Sequence, residues 1–194
     1  MRIVAGQYRG RRLTAPKGDS TRPTTDRVRE ALFSSLASHC GPDLGGGSAL
    51  DAFAGSGALG FEALSRGMGH VTFVERDRAA LNVIRTNAEN LGATRAVSVV
   101  SGDAQVLAAR GAIPGGPFSL LLLDPPYRLD AGEVGKLIAA LVARDLLEDG
   151  ALIVYEHSAG TATTWPADIC TMASKRYGST EIDIACYERG AGST

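Results

Sequence analysis

From residue 48 onward, short apolar segments alternate with segments whose apolar residues recur at helical spacing. A helix between successive strands carries the chain back across a sheet, so this alternation predicts mostly parallel strands with helices on both faces. The segment 118–123 reads FSLLLL, which is typical of a central strand buried on both faces. The predicted strands are 49–53, 70–75, 96–101, 118–124 and 151–156, and the predicted helices are 58–66, 77–91, 104–110 and 132–145.

The end of the chain has a different pattern. Segments 169–173 and 181–187 resemble strands, and the short turn around Gly178 leaves no room for a crossover helix between them. These two strands are therefore expected to pair antiparallel. The sequence as a whole predicts an α/β protein with a seven-stranded, mostly parallel sheet and an antiparallel last strand.

Four regions are predicted along the chain. Residues 1–21 form a small basic β-hairpin extension, and residues 22–47 form a helix followed by a linker. The α/β core occupies residues 48–188, and the polar residues 189–194 are expected to be a disordered tail.

Positive charge is concentrated at the start of the chain. Residues 1–30 contain eight basic and three acidic residues, a net charge of +5, whereas the remainder contains twelve basic and eighteen acidic residues, a net charge of −6. This asymmetry favours a basic attachment for a polyanion such as RNA, with a merely solvated hairpin or helix face as the alternative. The predicted RNA-binding residues are Arg2, Arg9, Arg11, Arg12, Lys17, Arg22 and Arg27.

Composition excludes several classes of protein. With 44% hydrophobic and 21% charged residues the chain is an ordinary globular protein, and its longest apolar run is too short to span a membrane. Cys40, Cys170 and Cys186 lack Cys-x-x-Cys spacing and are expected to be buried core thiols. The histidines are scattered, so no metal site is predicted, and a cytoplasmic location is expected.

A glycine-rich turn follows the first predicted strand. Gly55, Gly57 and Gly60 lie between that strand and a helix, where glycines let the main chain approach a cofactor. Glu75 ends the next strand, where a carboxylate can accept hydrogen bonds from two ribose hydroxyls, so the pattern fits NAD or S-adenosylmethionine. Asp51 precedes the turn and would repel a pyrophosphate, which favours S-adenosylmethionine.

Carboxylates follow four successive predicted strands: Asp51, Glu75, Asp103 and Asp124. Open α/β sheets bind ligands at the carboxyl ends of their strands, so we expect these groups to share one edge. A rim of carboxylates suits a cationic ligand, and S-adenosylmethionine carries a sulfonium and an ammonium group. For Asp103, a helix N-cap is an equally good interpretation.

The tetrapeptide Asp124-Pro125-Pro126-Tyr127 is the predicted catalytic motif. The exocyclic amine of guanine or adenine is a weak nucleophile because its lone pair is delocalised into the ring. The Asp124 carboxylate and the Pro125 carbonyl could accept its two hydrogens and so orient that lone pair. Tyr127 could stack on the base, which is worth about 1–3 kcal/mol in single-strand binders. The motif therefore predicts methyl transfer to nitrogen, driven mainly by positioning.

Over nearly its whole length the chain resembles the bacterial RsmD family of small-subunit ribosomal RNA guanine-N2 methyltransferases. The most specific similarity lies in RIVAG with RGRRL, residues 2–6 and 9–13, and in RPTTDRVRE, residues 22–30. The segments 51–60 and 124–127 and the pair Tyr177-Gly178 also match, and the motifs at 51–60 and 124–127 are shared with many amino-methylating enzymes.

The resemblance implies a Rossmann-like class I fold with S-adenosylmethionine as methyl donor. It implies that the acceptor is the N2 amine of one guanine in 16S rRNA, presented by an assembled or partly assembled 30S subunit, and a monomeric enzyme is expected. It also implies that residues 22–30 pack near the cofactor. The predicted cofactor-binding residues are Asp51, Phe53, Gly55, Gly57, Glu75, Arg76, Asp103, Ala104 and Thr24.

Other functions fit parts of this pattern. Asp-Pro-Pro-Tyr serves adenine equally well, but an adenine-N6 DNA methyltransferase usually carries a separate target-recognition domain, and only about 47 residues precede this core. A glutamine-directed protein methyltransferase is a lesser rival for the same reason. A non-catalytic ribosome-assembly factor would not need the Asp124–Tyr127 motif, and an NAD-linked oxidoreductase would need a catalytic His, Lys or Tyr that the sequence does not mark.

Overall fold

The computed structural model describes residues 1–16, 26–41, 43–126 and 129–190. The strands are β1 (Ser48–Asp51), β2 (His70–Glu75), β3 (Val97–Ser101), β4 (Phe118–Leu123), β5 (Leu147–Ser158), β6 (Ile169–Tyr177) and β7 (Thr180–Tyr187). The α-helices are α1 (Asp26–Cys40), α2 (Ala58–Ser65), α3 (Arg78–Leu91), α4 (Ala104–Ala109) and α5 (Ala131–Ala143).

The seven strands form one sheet in the order β3-β2-β1-β4-β5-β7-β6. The first five strands are parallel, and β7 pairs antiparallel with both β5 and β6. The predicted fold class is therefore confirmed: the sheet is Rossmann-like, seven-stranded and mostly parallel. Its strand order reverses at β1, which pairs with β2 on one side and β4 on the other.

Helices cover both faces of the sheet. The central strand β4 is therefore buried on both sides, which explains why polar residues do not alternate with apolar ones in its sequence. Leu120 and Leu122 pack in the core beneath α1, α2 and α3, whereas Leu121 and Leu123 pack in the core beneath α4 and α5. All four side chains are almost completely buried. Each buried leucine contributes roughly 1.5–3 kcal/mol through burial, so this strand stabilises both layers.

The N-terminal extension is a short hairpin, as predicted. An antiparallel bridge joins Arg2 to Arg12, and the main chain of Ile3 pairs with Arg11 and Gly10 at 3.0 and 2.9 Å. The hairpin packs tightly on α2: a Cβ at Gly6 would lie 1.7 Å from the Ser65 carbonyl oxygen, so only glycine fits at this approach.

Several expectations differ from the structure, including the end of β1 at Asp51 and of β6 at Tyr177 in place of residues 53 and 173. β5 begins at Leu147 rather than at residue 151, because Leu147 is buried where it pairs with Phe118. The prediction that the cysteines are buried core thiols is wrong: Cys40 and Cys170 are exposed and Cys186 is half-buried. Cys40 lies at the solvent-facing end of α1, and Cys170 lies on the edge strand β6, where most side chains face solvent.

Within the described ranges, no helix is both long and apolar enough to cross a membrane. The same residues contain no group of three or more His, Cys, Asp or Glu side chains placed to hold a metal ion.

One carboxyl group lies inside the core. Asp51 ends β1 and is only 1% exposed, and its Oδ2 accepts the Gly60 main-chain N–H at 3.0 Å. Burial raises the pKa of Asp51 from 3.8 to about 7; the Gly60 hydrogen bond opposes this rise and the negative charge of Glu75 adds to it. The group therefore carries a proton under mildly acidic conditions.

This burial predicts a pH-dependent stability. Between pH 3.8 and about 7 the folded protein keeps the Asp51 proton while the unfolded chain releases it, so the stabilisation is complete below this window and is lost as pH rises through it. Asp51→Asn keeps an oxygen for the Gly60 N–H and has no such proton. We expect urea unfolding at about pH 5 and about pH 7.5 to show the wild type losing stability relative to Asp51→Asn, by about 1.4 kcal/mol for each pH unit between pH 5 and the folded pKa of about 7. Parallel pH profiles for the two proteins would contradict this assignment.

Candidate functional site

The structure brings the predicted cofactor and catalytic segments to one edge of the sheet. The glycine-rich turn follows β1, Glu75 ends β2, and Asp124 follows β4. Because β1 and β4 are parallel neighbours, with the Ala52 N–H bonded to the Leu122 carbonyl at 3.1 Å, their carboxyl ends lie side by side. This reversal point in the strand order is where open α/β sheets form a ligand crevice.

Two carboxylates hold the glycine-rich turn in place. Glu75 Oε2 accepts the Gly55 N–H at 2.8 Å, and Asp51 Oδ2 accepts the Gly60 N–H. The turn thus has a fixed shape in the protein alone, because donors at both of its ends are bonded to side chains of adjacent strands.

The three glycines of this turn serve different purposes. A Cβ at Gly57 would lie 2.7 Å from the Phe61 ring, and one at Gly60 would lie 2.3 Å from the Phe73 ring, so both glycines permit close packing of α2 on the sheet. A Cβ at Gly55, where φ is +52°, would have no described atom within 4 Å. Gly55 therefore borders open space where a ligand could approach the main chain.

Glu75 and Arg76 lie at the end of β2. Glu75 Oε1 accepts the main-chain N–H groups of Arg76 and Asp77 at 2.8 and 2.9 Å, in addition to the Gly55 bond to Oε2. Glu75 is half-buried, and the Arg76 side chain is exposed. The predicted ribose-binding carboxylate is therefore accessible, and it also organises the main chain around it.

Asp103 caps α4, as its alternative interpretation predicted. Its Oδ1 accepts the N–H groups of Gln105 and Val106 at 2.9 and 3.2 Å, and Ala104 is buried behind it. Phe53, another predicted cofactor residue, is half-buried and packs against the core on the α4 and α5 side. Roles of these residues toward a cofactor stay predictions.

The predicted catalytic motif leaves β4 at the same edge. Asp124 is half-buried, Pro125 is buried, and the Pro126 carbonyl accepts the Leu129 N–H at 2.8 Å. Tyr127 lies outside the described residues, as do Thr24 of the predicted cofactor site and Lys17 and Arg22 of the predicted RNA-binding set.

Next to Asp124, the end of β5 carries an aromatic and polar cluster that the sequence did not reveal. His157 Nε2 lies 3.1 Å from Asp183 Oδ2, and both groups are buried. The Tyr155 ring packs on His157 with centroids 4.7 Å apart and meets Trp165 edge-on at 6.1 Å. Burial raises the pKa of Tyr155, so its phenol stays protonated near neutral pH.

The basic residues predicted to bind RNA lie mostly on the surface. Arg2, Arg9, Arg11, Arg12 and Arg27 are exposed. The Arg11 guanidinium also donates to the Asn90 carbonyl of α3, so part of its role is to hold the hairpin on the core.

Arg29, which contributes to the positive charge of this region, is not available to a ligand. It is fully buried, and its guanidinium pairs with Asp26 at 2.7 Å and with Glu62 at 3.6 Å. Glu62 in turn accepts the N–H groups of Val4 and Ala5 at 2.8 and 3.0 Å. Sequence reasoning missed this pair; the one detectable signal was a single charged residue within the apolar helix ALGFEALS.

A second buried polar residue, Asn87 on α3, was also missed. Its amide bonds to the main chain of Thr14 in the N-terminal extension and to the Ser56 carbonyl of the glycine-rich turn. The signal in the sequence was an asparagine between apolar positions of a helix, where polar side chains usually face solvent.

Comparison with known proteins identifies the family of this chain. Residues 1–186 match the family described as conserved hypothetical protein 95. Ribosomal RNA small subunit methyltransferase D of Escherichia coli is 42% identical over 156 residues, which cover 80% of this chain and 74% of that protein. The protein of the same name from Haemophilus influenzae is 36% identical over 80% of this chain and 78% of its own length.

A solved structure of the Escherichia coli protein yhhF superimposes with a TM-score of 0.81 and 38% identity, covering 97% of this chain and 98% of that one. The match of the family model over nearly the full length, together with relatives above 30% identity, confirms the resemblance found in the sequence motifs. The chain belongs to the family described as conserved hypothetical protein 95, which is the RsmD family.

Proposed function

We propose that this protein transfers a methyl group from S-adenosylmethionine to the exocyclic N2 amine of a guanine in 16S rRNA. The observation that carries the proposal is the parallel pairing of β1 with β4, which sets the glycine-rich turn beside Asp124-Pro125-Pro126. Membership of the family supports ribosomal RNA methylation, because its relatives include proteins named for that activity.

The donor set at the turn fits S-adenosylmethionine. The space at Gly55 admits a ligand against the main chain, and the neighbouring Glu75 and Asp124 provide negative charge for a cationic group, to which the buried Asp51 adds when it is ionised. When bound, S-adenosylmethionine supplies an electrophilic methyl group on a sulfonium. In this proposal Glu75 holds the ribose, while Phe53, Arg76, Ala104 and Thr24 complete the binding surface.

The residues after β4 hold the acceptor. The Asp124 carboxylate and the Pro125 carbonyl accept the two hydrogens of the guanine amine, which concentrates the nitrogen lone pair in the direction of attack. The Pro126 carbonyl is held by the Leu129 N–H, and Tyr127 stacks on the base in this proposal. Guanine is assigned on the family resemblance, since the same clamp suits the adenine amine.

The exposed arginines of the hairpin supply binding energy for RNA. Phosphate contacts position a nucleic acid without reading its sequence, so the choice of guanine depends on how the folded RNA is presented. We propose a monomer that acts in the cytoplasm on an assembled or partly assembled 30S subunit.

The first prediction from this proposal concerns Asp124. Small subunits from a strain lacking this gene should gain labelled methyl groups from S-adenosylmethionine as N2-methylguanosine when wild-type protein is added. Asp124→Ala should reduce the rate by about 10²-fold or more, since it removes an acceptor that orients the reacting amine. Asp124→Asn should fall between them because its amide oxygen still accepts one hydrogen.

A matched control is Asp149→Ala, which removes an exposed carboxylate near the amino end of β5, at the opposite edge of the sheet. It should methylate at the wild-type rate. Label on DNA or protein instead of ribosomal RNA would reject the proposed acceptor in favour of an adenine or glutamine methyltransferase. Absence of label on every substrate would favour the non-catalytic assembly factor.

The second prediction separates the glycines of the turn. Asparagine tolerates the left-handed conformation of Gly55, so Gly55→Asn should fold with nearly wild-type stability yet bind S-adenosylmethionine at least about tenfold more weakly, because its side chain enters the ligand space. Gly57→Ala meets the Phe61 ring and should cost about 1–3 kcal/mol of stability. Calorimetric titration and thermal unfolding measure the two effects. Wild-type affinity in Gly55→Asn would place the cofactor elsewhere.

The third prediction concerns the hairpin. Neutralising Arg9 and Arg12 to glutamine should weaken binding to small-subunit RNA and reduce the slope of log K against log salt by about 1 for each phosphate that these side chains neutralise. Affinity for S-adenosylmethionine alone should not change. The control is Arg110→Gln, an exposed arginine at the end of α4. Equal salt slopes for the wild type, the Arg9 and Arg12 variant and Arg110→Gln would show that the hairpin arginines face solvent without contacting RNA phosphates.

A further inference from the structure

The buried side chain of Asn87 bonds to both the basic hairpin and the glycine-rich turn, and a weak hydrogen bond from the Ser56 hydroxyl to Met1 Sδ at 3.5 Å also joins them. Asn87 is completely buried, its Oδ1 accepts the Thr14 N–H at 2.8 Å, and its Nδ2 donates to the Thr14 carbonyl at 3.0 Å. The same Nδ2 donates to the Ser56 carbonyl at 3.1 Å. Residues 14, 56 and 87 come from three separate parts of the chain, so this amide fixes their relative positions.

The orientation of the amide follows from its partners. Two carbonyl oxygens face Nδ2 and one N–H faces Oδ1, so the reversed amide would place its oxygen against both carbonyls. Both of its donors and its acceptor oxygen are engaged. A side chain that matches three main-chain groups in this way transmits a displacement of one segment to the others, because the buried Asn87 amide has no water to bond in place of Thr14 or Ser56.

Thr14 and Ser56, the two residues that Asn87 connects, each adjoin a surface to which the proposed function assigns a ligand. Thr14 follows Leu13, whose N–H bonds to the Met1 carbonyl at 3.1 Å and so closes the hairpin that carries the exposed arginines. Ser56 lies between Gly55, which borders the open space, and Gly57, which packs on Phe61. Further anchors of the hairpin are Glu62 and Ser65, which lie on α2 and, among the described residues, make no side-chain hydrogen bond to the turn.

We propose that Asn87 is a positioning residue that couples RNA bound on the hairpin to the shape of the cofactor turn, so that each ligand raises the affinity for the other. The inference rests on the proposed function, since it takes RNA as the ligand of the hairpin and S-adenosylmethionine as the ligand of the turn. Such coupling is reciprocal, and typical values are about 5- to 150-fold in affinity.

The test measures binding of labelled S-adenosylhomocysteine, which cannot react, with and without small subunits that lack the modification. In the wild type the subunits should tighten its binding about fivefold or more. In Asn87→Ala that ratio should fall to about one, because the shortened side chain no longer reaches Thr14 or Ser56. The control is Ser65→Ala, which removes the hydrogen bonds of the Ser65 hydroxyl to Tyr8 and Ala5 but leaves the turn untouched.

Ser65→Ala should lose stability yet keep the wild-type ratio. If Asn87 served only to dock the hairpin, both variants would change the ratio alike; coupling through Asn87 predicts a change in Asn87→Ala alone. An unchanged ratio in Asn87→Ala, or a ratio of one in the wild type, would overturn the inference. Failure of the wild type to bind S-adenosylhomocysteine at all would instead reject the proposed function.

A second measurement needs no variant. Hydrogen exchange of the wild type should show slower exchange of the hairpin amides in residues 2–14 when S-adenosylhomocysteine is bound, although the cofactor turn begins more than forty residues later in the chain. If S-adenosylhomocysteine binds and slows exchange only in the turn and the sheet edge, the hairpin is not coupled and the inference fails.

Discussion

The buried carboxylate of Glu62 determines how the N-terminal region is attached to the sheet. It is fully buried on α2, and its oxygens accept the N–H groups of Val4 and Ala5 and the Arg66 Nε, with the Arg29 guanidinium nearby. Leaving a buried charge without partners typically costs about 3–5 kcal/mol, so the folded core strongly favours the docked hairpin and the docked helix α1. The basic extension is therefore held in a fixed position relative to the glycine-rich turn, which precedes α2 directly.

The same use of carboxylates recurs at the sheet edge. Asp51 bonds to the main chain of α2, and Glu75 bonds to the main chain of the glycine-rich turn and of its own strand end. In the structure these acids shape the polypeptide, and their contribution of charge to a ligand belongs to the proposed function. For Asp51 the cost of burial is large enough to raise its pKa to about 7, so at neutral pH part of the expected negative rim is protonated in the protein alone. A cationic ligand nearby would favour the ionised form and lower that pKa.

Local pattern was sufficient for most of the fold. The strand from Phe118 and the helix ending before Gly92 were predictable because apolar periodicity, caps and glycines act over a few residues, and the antiparallel end followed from the short turn at Gly178. What the pattern could not supply was contacts between distant segments. Glu62 meets Val4 across 58 residues, and Asn87 meets Thr14 across 73, and no periodicity encodes such pairs. The cysteines were misplaced for a related reason: Cys170 lies on an edge strand, and edge position depends on the order of the whole sheet.

If Glu75 holds a ribose, as the proposed function has it, its hydrogen bonds would link the shape of the turn to ligand binding. An ionised carboxylate has about four acceptor positions, and three of those of Glu75 are already used by the N–H groups of Gly55, Arg76 and Asp77. Two ribose hydroxyls can therefore both bond to Glu75 only if they share a lone pair or displace one of these main-chain donors. The donor most exposed to such exchange is Gly55, because it borders the ligand space directly. Cofactor binding would then shift the residue next to Ser56, the point at which Asn87 connects the turn to the hairpin.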